Sequence, residues 1–187
     1  FLTGCDVKYD LVITNKEKIK ETITVFVDNQ IIENNSMTKE EYLDYYSNIY
    51  MNNPGYKGIK ITTKEGDEYS SFIAKNKYSS LDDYVQSYTF KNMFDYADIE
   101  RVGNYVSFTT SKNAYLENIK NDELLSEQSK YNSFKISIKF YNKLANHNAD
   151  EVDSKNNIYS WNINEDTTKD FIYFKISPDV RYDVMIK

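Results

Sequence analysis

The run Val7-Lys8-Tyr9-Asp10-Leu11-Val12-Ile13, followed after Asn15-Lys16-Glu17 by Ile19-Lys20-Glu21-Thr22-Ile23-Thr24-Val25-Phe26-Val27, decides the architecture. Val7, Tyr9, Leu11 and Ile13 alternate with polar residues, and the alternation resumes through Ile19, Ile23, Val25 and Val27. Period-2 alternation is the pattern of a strand with one buried face. Two such runs joined by a short polar segment predict an antiparallel hairpin.

Further along the chain, hairpins and helices take turns. Thr38-Lys39-Glu40-Glu41 is a capping box that opens a helix carrying Tyr42, Tyr45, Tyr46, Ile49 and Tyr50, which Asn52-Asn53-Pro54-Gly55 should end. A second hairpin is predicted over 58–63 and 68–74, turning at Lys64-Glu65-Gly66-Asp67. Ser79 or Ser80 should cap a second helix containing Leu81, Tyr84, Val85 and Tyr88. A third hairpin is predicted over 99–102 and 105–110 around Gly103-Asn104. Residues 113–131 read as a polar helix or excursion, and strands are predicted over 134–141, 158–163 and 171–176. No repeat or Gly/Ser linker divides the chain. The expected fold is one α+β domain, a mainly antiparallel sheet of hairpins with two or three helices packed on it.

Composition narrows the function. The 187 residues are 40% hydrophobic and 28% charged, ordinary for a folded domain. No apolar run approaches the roughly 20 residues that span a bilayer. Net charge is −6, and Arg101 and Arg181 are the only arginines, so nucleic-acid binding is disfavoured. A purely electrostatic grip on anionic lipid is disfavoured by the same balance, a local lysine patch excepted. The 18 tyrosines could form a sugar-stacking or ligand-binding surface, but with the Asn pairs they are better read as the codon bias of an AT-rich genome, since tyrosines also serve well on half-buried strand faces.

The single cysteine follows Leu2-Thr3-Gly4. An aliphatic residue and two small residues before Cys5 form a lipobox, in which the small side chains let a signal peptidase bind extended backbone beside a reachable thiol. On this reading residues 1–4 are a signal-peptide remnant and residues 5–187 are one extracytoplasmic domain. Two acyl chains on Cys5 would hold the domain at the outer face of a bacterial cytoplasmic membrane, where one chain is marginal. With one cysteine there is no internal disulfide.

Catalytic and metal patterns are weak. Asn146, Asn148 and Asp150 occupy the first offsets of a calcium loop, but Glu151 stands where glycine is needed and Asn157 where the bidentate Glu belongs. His147 with Asp150 and Asp153 is better read as a solvated strand connection than as a metal site. Asp82-Asp83 and Glu40-Glu41 sit at helix starts, where they complement the helix dipole. The sequence has neither a Gly-rich phosphate loop nor a nucleophile elbow. We expect no enzyme, no cofactor and no metal.

Two stretches carry a family resemblance. They are Gly4-Cys5-Asp6-Val7-Lys8-Tyr9-Asp10-Leu11-Val12-Ile13 with the Glu21-Thr22-Ile23-Thr24-Val25 strand, and Ala149-Asp150-Glu151-Val152-Asp153 leading to Asn157-Ile158-Tyr159-Ser160-Trp161. A lipobox, an immediate hairpin and a late Asp-rich segment ending in an aromatic-Ser-Trp strand resemble the LppM-type domain of bacterial lipoproteins. The resemblance implies an envelope lipoprotein that contacts lipid or glycolipid, often with a further membrane segment after the domain. It implies no catalytic residues. The expected function is therefore a non-catalytic binding module. An interaction or scaffold lipoprotein binding an envelope protein is the alternative, and a hydrolase of envelope polymers comes after that. Candidate ligand-contacting residues are Tyr42, Tyr46 and Trp161. The tyrosine stripe and the lone Trp also suit plain core packing.

Overall fold

The computed structural model describes residues 5–52, 60–112, 133–164 and 171–177. Strands β1 (Cys5–Ile13) and β2 (Ile19–Asp28) form the predicted hairpin, in register from Cys5 opposite Val27 to Ile13 opposite Ile19. The turn closes by Thr14 and Lys18 exchanging backbone and side-chain hydrogen bonds at 3.0 Å. Tyr9, Leu11, Ile13, Ile19 and Val27 all point to one buried face, as the alternation requires.

The hairpin becomes the middle of a seven-stranded sheet, ordered β3-β4-β2-β1-β7-β10-β9. On one side β3 (Lys60–Lys64) and β4 (Tyr69–Tyr78) form the second hairpin, antiparallel to β2. On the other, β7 (Ser133–Phe140) runs parallel to β1, setting Tyr9 beside Ile136, Leu11 beside Ile138 and Ile13 beside Phe140. Then come β10 (Ile158–Asn164) and the three-residue β9 (Glu151–Asp153), both antiparallel to their neighbours. Among the described residues, the β1–β7 pair is the one parallel pairing in an otherwise antiparallel set.

A second, four-stranded sheet is ordered β5-β6-β11-β8. It combines the third hairpin, β5 (Ala97–Val102) and β6 (Tyr105–Thr110), with β8 (Leu144–His147) and β11 (Tyr173–Ile176). Between β7 and β11 the chain visits the large sheet, the small one, the large one again for β9 and β10, and then the small one. These crossings hold the sheets over one core. Phe174 on β11, fully buried, stacks on Phe108 at 4.8 Å and meets Phe140 of the large sheet at 4.9 Å. The space left between the sheets is a void of about 10 Å³ lined by Leu11, Ile13, Phe94, Ile138 and their neighbours, room for one water at most and dry by its lining.

Strands β8 and β9 correct the expectation that residues 146–153 are only a connection. Both are too short to show periodicity, and β9 is exposed throughout. Helix α1 (Asn29–Asn34) was likewise not predicted. Asp28 caps it by accepting from the Gln30 amide at 2.8 Å, while the buried Asn29 amide donates to the Gly66 and Asp67 carbonyls. A side chain on Gly66 would collide with the Tyr69 carbonyl, its Cβ lying 2.2 Å from that oxygen.

Helix α2 (Lys39–Asn52) has the predicted capping box, the Thr38 amide donating to Glu41 at 2.9 Å and the Glu41 amide to Thr38 Oγ1 at 3.2 Å. With α1 it covers a smaller core of Val27, Ile31, Ile32, Tyr42, Leu43 and Phe72. The helix predicted from 81 to 88 is two, α3 (Leu81–Val85) and α4 (Tyr88–Met93). Ser80, not Ser79, caps the first. Ser87 breaks the run by capping the second, accepting from the Phe90 amide at 3.1 Å. There are thus four helices among the described residues where two or three were expected. The predictions for residues 53–55, 113–131 and 178–187 lie outside the described residues.

Because Phe174 contacts both sheets, Phe174→Ala should cost about 3–5 kcal/mol, whereas Tyr45→Ala at the surface should cost less than about 0.5 kcal/mol. Urea unfolding followed by Trp161 fluorescence measures both. A cost below about 1 kcal/mol for Phe174→Ala would contradict a shared core.

Candidate functional site

Alternation on β2 sends Glu21 to the inner face, between Ile19 and Ile23 and opposite Leu11, at a position that packing would fill with an apolar side chain. It is 2% exposed. A carboxylate taken out of water must find donors or a proton. Glu21 finds three hydroxyls: Tyr9 donates to Oε2 in a short hydrogen bond, Thr89 donates to Oε2 at 2.8 Å, and Tyr78 donates to Oε1 at 3.0 Å. The Tyr84 hydroxyl in turn lies 2.8 Å from that of Tyr9. Five elements therefore converge on one carboxyl: β2 itself, β1, β4, α3 and α4.

Among the described residues no cation takes part in this cluster. Burial pushes the Glu21 carboxyl above the usual carboxylate range, against the opposing pull of the Tyr9, Thr89 and Tyr78 hydroxyls. Tyr9 and Tyr84 are pushed well above the ordinary phenol value, chiefly by burial, and they stay protonated as donors. The group can store a proton and lock elements together, but it is walled off from any substrate. Sequence analysis passed over Glu21. The available signal was an acid at an apolar position of a strictly alternating strand.

A second polar junction lies at the surface. The Arg101 guanidinium on β5 forks onto Glu17 at 3.1 and 2.6 Å and reaches Asp82 at 2.5 Å. It ties the β1–β2 turn, the start of α3 and the small sheet together, and the two carboxylates raise its already high proton affinity.

The candidate ligand residues are dispersed. Tyr42 is buried in the smaller core under α2. Its ring lies 4.5 Å from that of half-buried Tyr46, which in turn meets Phe72 at 6.4 Å. Trp161 is 1% exposed, in the main core on β10, and its indole donates to Asn148 Oδ1 at 2.6 Å. The structure does not bring Trp161 together with Tyr42 and Tyr46, and it closes the Trp ring off from solvent. Cys5 begins β1, opposite Val27. Leu2, Thr3 and Gly4 lie outside the described residues.

The Asn-rich segment near His147 works as a clip. Asn148 accepts from Trp161 and from the Tyr173 amide, and donates to the Phe171 carbonyl at 3.0 Å. His147 accepts from the Ala149 amide at 3.2 Å, and its ring stands 4.8 Å from Tyr159. Asp153 caps the turn before β10 through Lys155 and Asn156. Among the described residues no group of three His, Cys, Asp or Glu side chains gathers as a metal site.

No family model matches the sequence, and no curated protein is significantly similar to it. A solved structure is similar: the NMR structure of the folded domain of the LppM protein from Mycobacterium tuberculosis, with a TM-score of 0.55. The match covers 97% of this chain and 95% of that one at 11% identity. At that identity the likeness establishes the fold, which is LppM-like.

The raised Glu21 carboxyl gives a signed pH dependence. Its proton is held more tightly in the folded state than in the unfolded one. Its contribution to stability is therefore fully present below the ordinary value near 4.5 and is lost as pH rises through the folded value. Glu21→Gln should remove that dependence. Urea midpoints of the two proteins, taken from about pH 4 to about pH 7, should show the wild type declining relative to the variant. Parallel curves would exclude a strained carboxyl at this position.

Proposed function

We propose that this LppM-fold chain is the extracytoplasmic domain of a bacterial membrane-anchored lipoprotein, tethered through Cys5 at the outer face of the cytoplasmic membrane. The observation that carries the reading is a coincidence of position. The residue that ends Leu2-Thr3-Gly4-Cys5 is also the first residue of β1, the strand at the middle of the large sheet, in a chain whose fold is similar to the LppM folded domain over 97% of its length. Acyl chains on Cys5 would sit at the very edge of the folded body, without a long linker.

Within that setting the domain acts as a non-catalytic binding module for envelope lipid or glycolipid. Glu21, whose carboxyl burial pushes up, is sealed inside, whereas Asp82, half-buried Glu17 and Glu151 are neutralised by Arg101 and Lys135. The void between the sheets has no room for an acyl chain. Among the described residues, lipid contact therefore falls to the surface of the domain.

Expressing the precursor with its own signal sequence in a bacterium fed labelled palmitate tests the anchor. The wild type should take up label and partition with detergent, and Cys5→Ser should lose the label and leave the membrane fraction. An unlabelled wild-type protein would overturn the reading.

A further inference from the structure

The chain is acidic overall, yet the strands sort its charges. The face of the large sheet turned away from the core carries Lys8, Lys20, Lys60, Lys64, Lys75, Lys77, Lys135 and Lys139, all exposed. The register sets three pairs of them directly opposite each other: Lys20 with Lys77, Lys60 with Lys75, and Lys8 with Lys135. Like charges directly across a sheet are destabilising.

Acids relieve one of these pairs. Asp10 lies 3.4 Å from Lys8, and Glu151 lies 2.6 Å from Lys135. The other two pairs, on β2, β3 and β4, have no carboxylate partner among the described residues. Because Thr22 stands opposite Lys75, one row runs Lys60, Lys75, Thr22, and the next sets Lys77 beside Lys20. Asp10 of β1 ends the first row on the far side of Thr22, so the four ammonium groups form a cluster over β2, β3 and β4 with neighbours about 5–7 Å apart. Half-buried Ile73 and Thr24 extend the same face beyond them. A fold that tolerates this repulsion where a glutamate would relieve it keeps the charge for something outside itself.

We propose that this lysine face docks on an anionic lipid bilayer, its ammonium groups contacting headgroup phosphates. The cluster spreads in two dimensions over three adjacent strands instead of lining a groove. That arrangement suits a sheet of phosphates better than a single threaded polymer. Lysines are compact point charges on flexible stems, and they follow mobile headgroups without demanding a fixed geometry. The inference deepens the membrane reading above and takes its setting from it, but it rests on the folded face and not on acylation.

The test is co-sedimentation of the full chain bearing Cys5→Ser with vesicles of phosphatidylglycerol and phosphatidylcholine, or of phosphatidylcholine alone. Binding should require phosphatidylglycerol and should vanish near about 0.5 M salt, where screening is short-ranged. The combination of Lys20→Gln, Lys60→Gln, Lys75→Gln and Lys77→Gln should weaken it on the order of a hundredfold or more, at about fivefold per lysine. Lys8→Gln with Lys135→Gln should have much less effect, because those charges are already paired. Lys77→Glu alone should both weaken binding and raise the melting temperature, since it turns a repulsive cross-strand pair with Lys20 into an attractive one. Equal binding to pure phosphatidylcholine, or undiminished binding by the folded Lys77→Glu protein, would overturn the proposal. A labelled anchor with no vesicle binding would remove the face alone, whereas vesicle binding without acylation would remove the anchor alone.

Discussion

The buried carboxyl of Glu21 is the constraint around which the rest of the molecule is arranged. Desolvating it is expensive by several kcal/mol before any partner is found. Three hydroxyl donors offset that cost, and each comes from a different element: Tyr9 from β1, Tyr78 from β4 and Thr89 from α4. Tyr84 of α3 joins through Tyr9. An apolar residue at this position would pack well with the helices in several nearby arrangements. A carboxyl that needs all three donors accepts few. The hub converts nonspecific burial under α3 and α4 into one defined position for them.

That position fixes the second sheet as well. Helices α3 and α4 bring Leu81, Phe90 and Phe94 against the same core that β6 and β11 enter with Phe108 and Phe174. Arg101 closes the other side of this junction from outside. A fold held by one polar hub and a contiguous aromatic core can keep its shape while most of its residues change, since cores tolerate substitution that conserves volume and pattern. This is how a chain 11% identical to the LppM folded domain can share its architecture over 97% of the sequence.

Much of the fold could be read from local sequence, where one period dominates. The three hairpins follow from alternation and turn residues, and α2 from Thr38 and Glu41. The misses have physical causes. Helix α1 occupies six residues and depends on Asn29 reaching a loop far along the chain, which no local window contains. The α3–α4 break hangs on one serine, Ser87, whose hydroxyl accepts from the Phe90 amide instead of pointing to solvent. Strands β8 and β9 exist because β10 and β11 offer them edges. At the candidate sites, Trp161 read first as core and second as a ligand contact, and its ring is buried in the main core. The lysine face was least legible of all. Net charge averages over the chain, whereas register decides which lysines become neighbours.

One consequence concerns force. Strand β1 is hydrogen-bonded along both sides, antiparallel to β2 over its full length and parallel to β7 from Lys8 to Ile13. Its first residue is Cys5. Tension that enters there along the strand axis would load both ladders in shear, where the rungs share the load instead of opening one at a time, as they would in peeling. Resistance to forced unfolding is a matter of rate, not of equilibrium stability. A domain held at that point would be gripped by a strand braced on both of its sides.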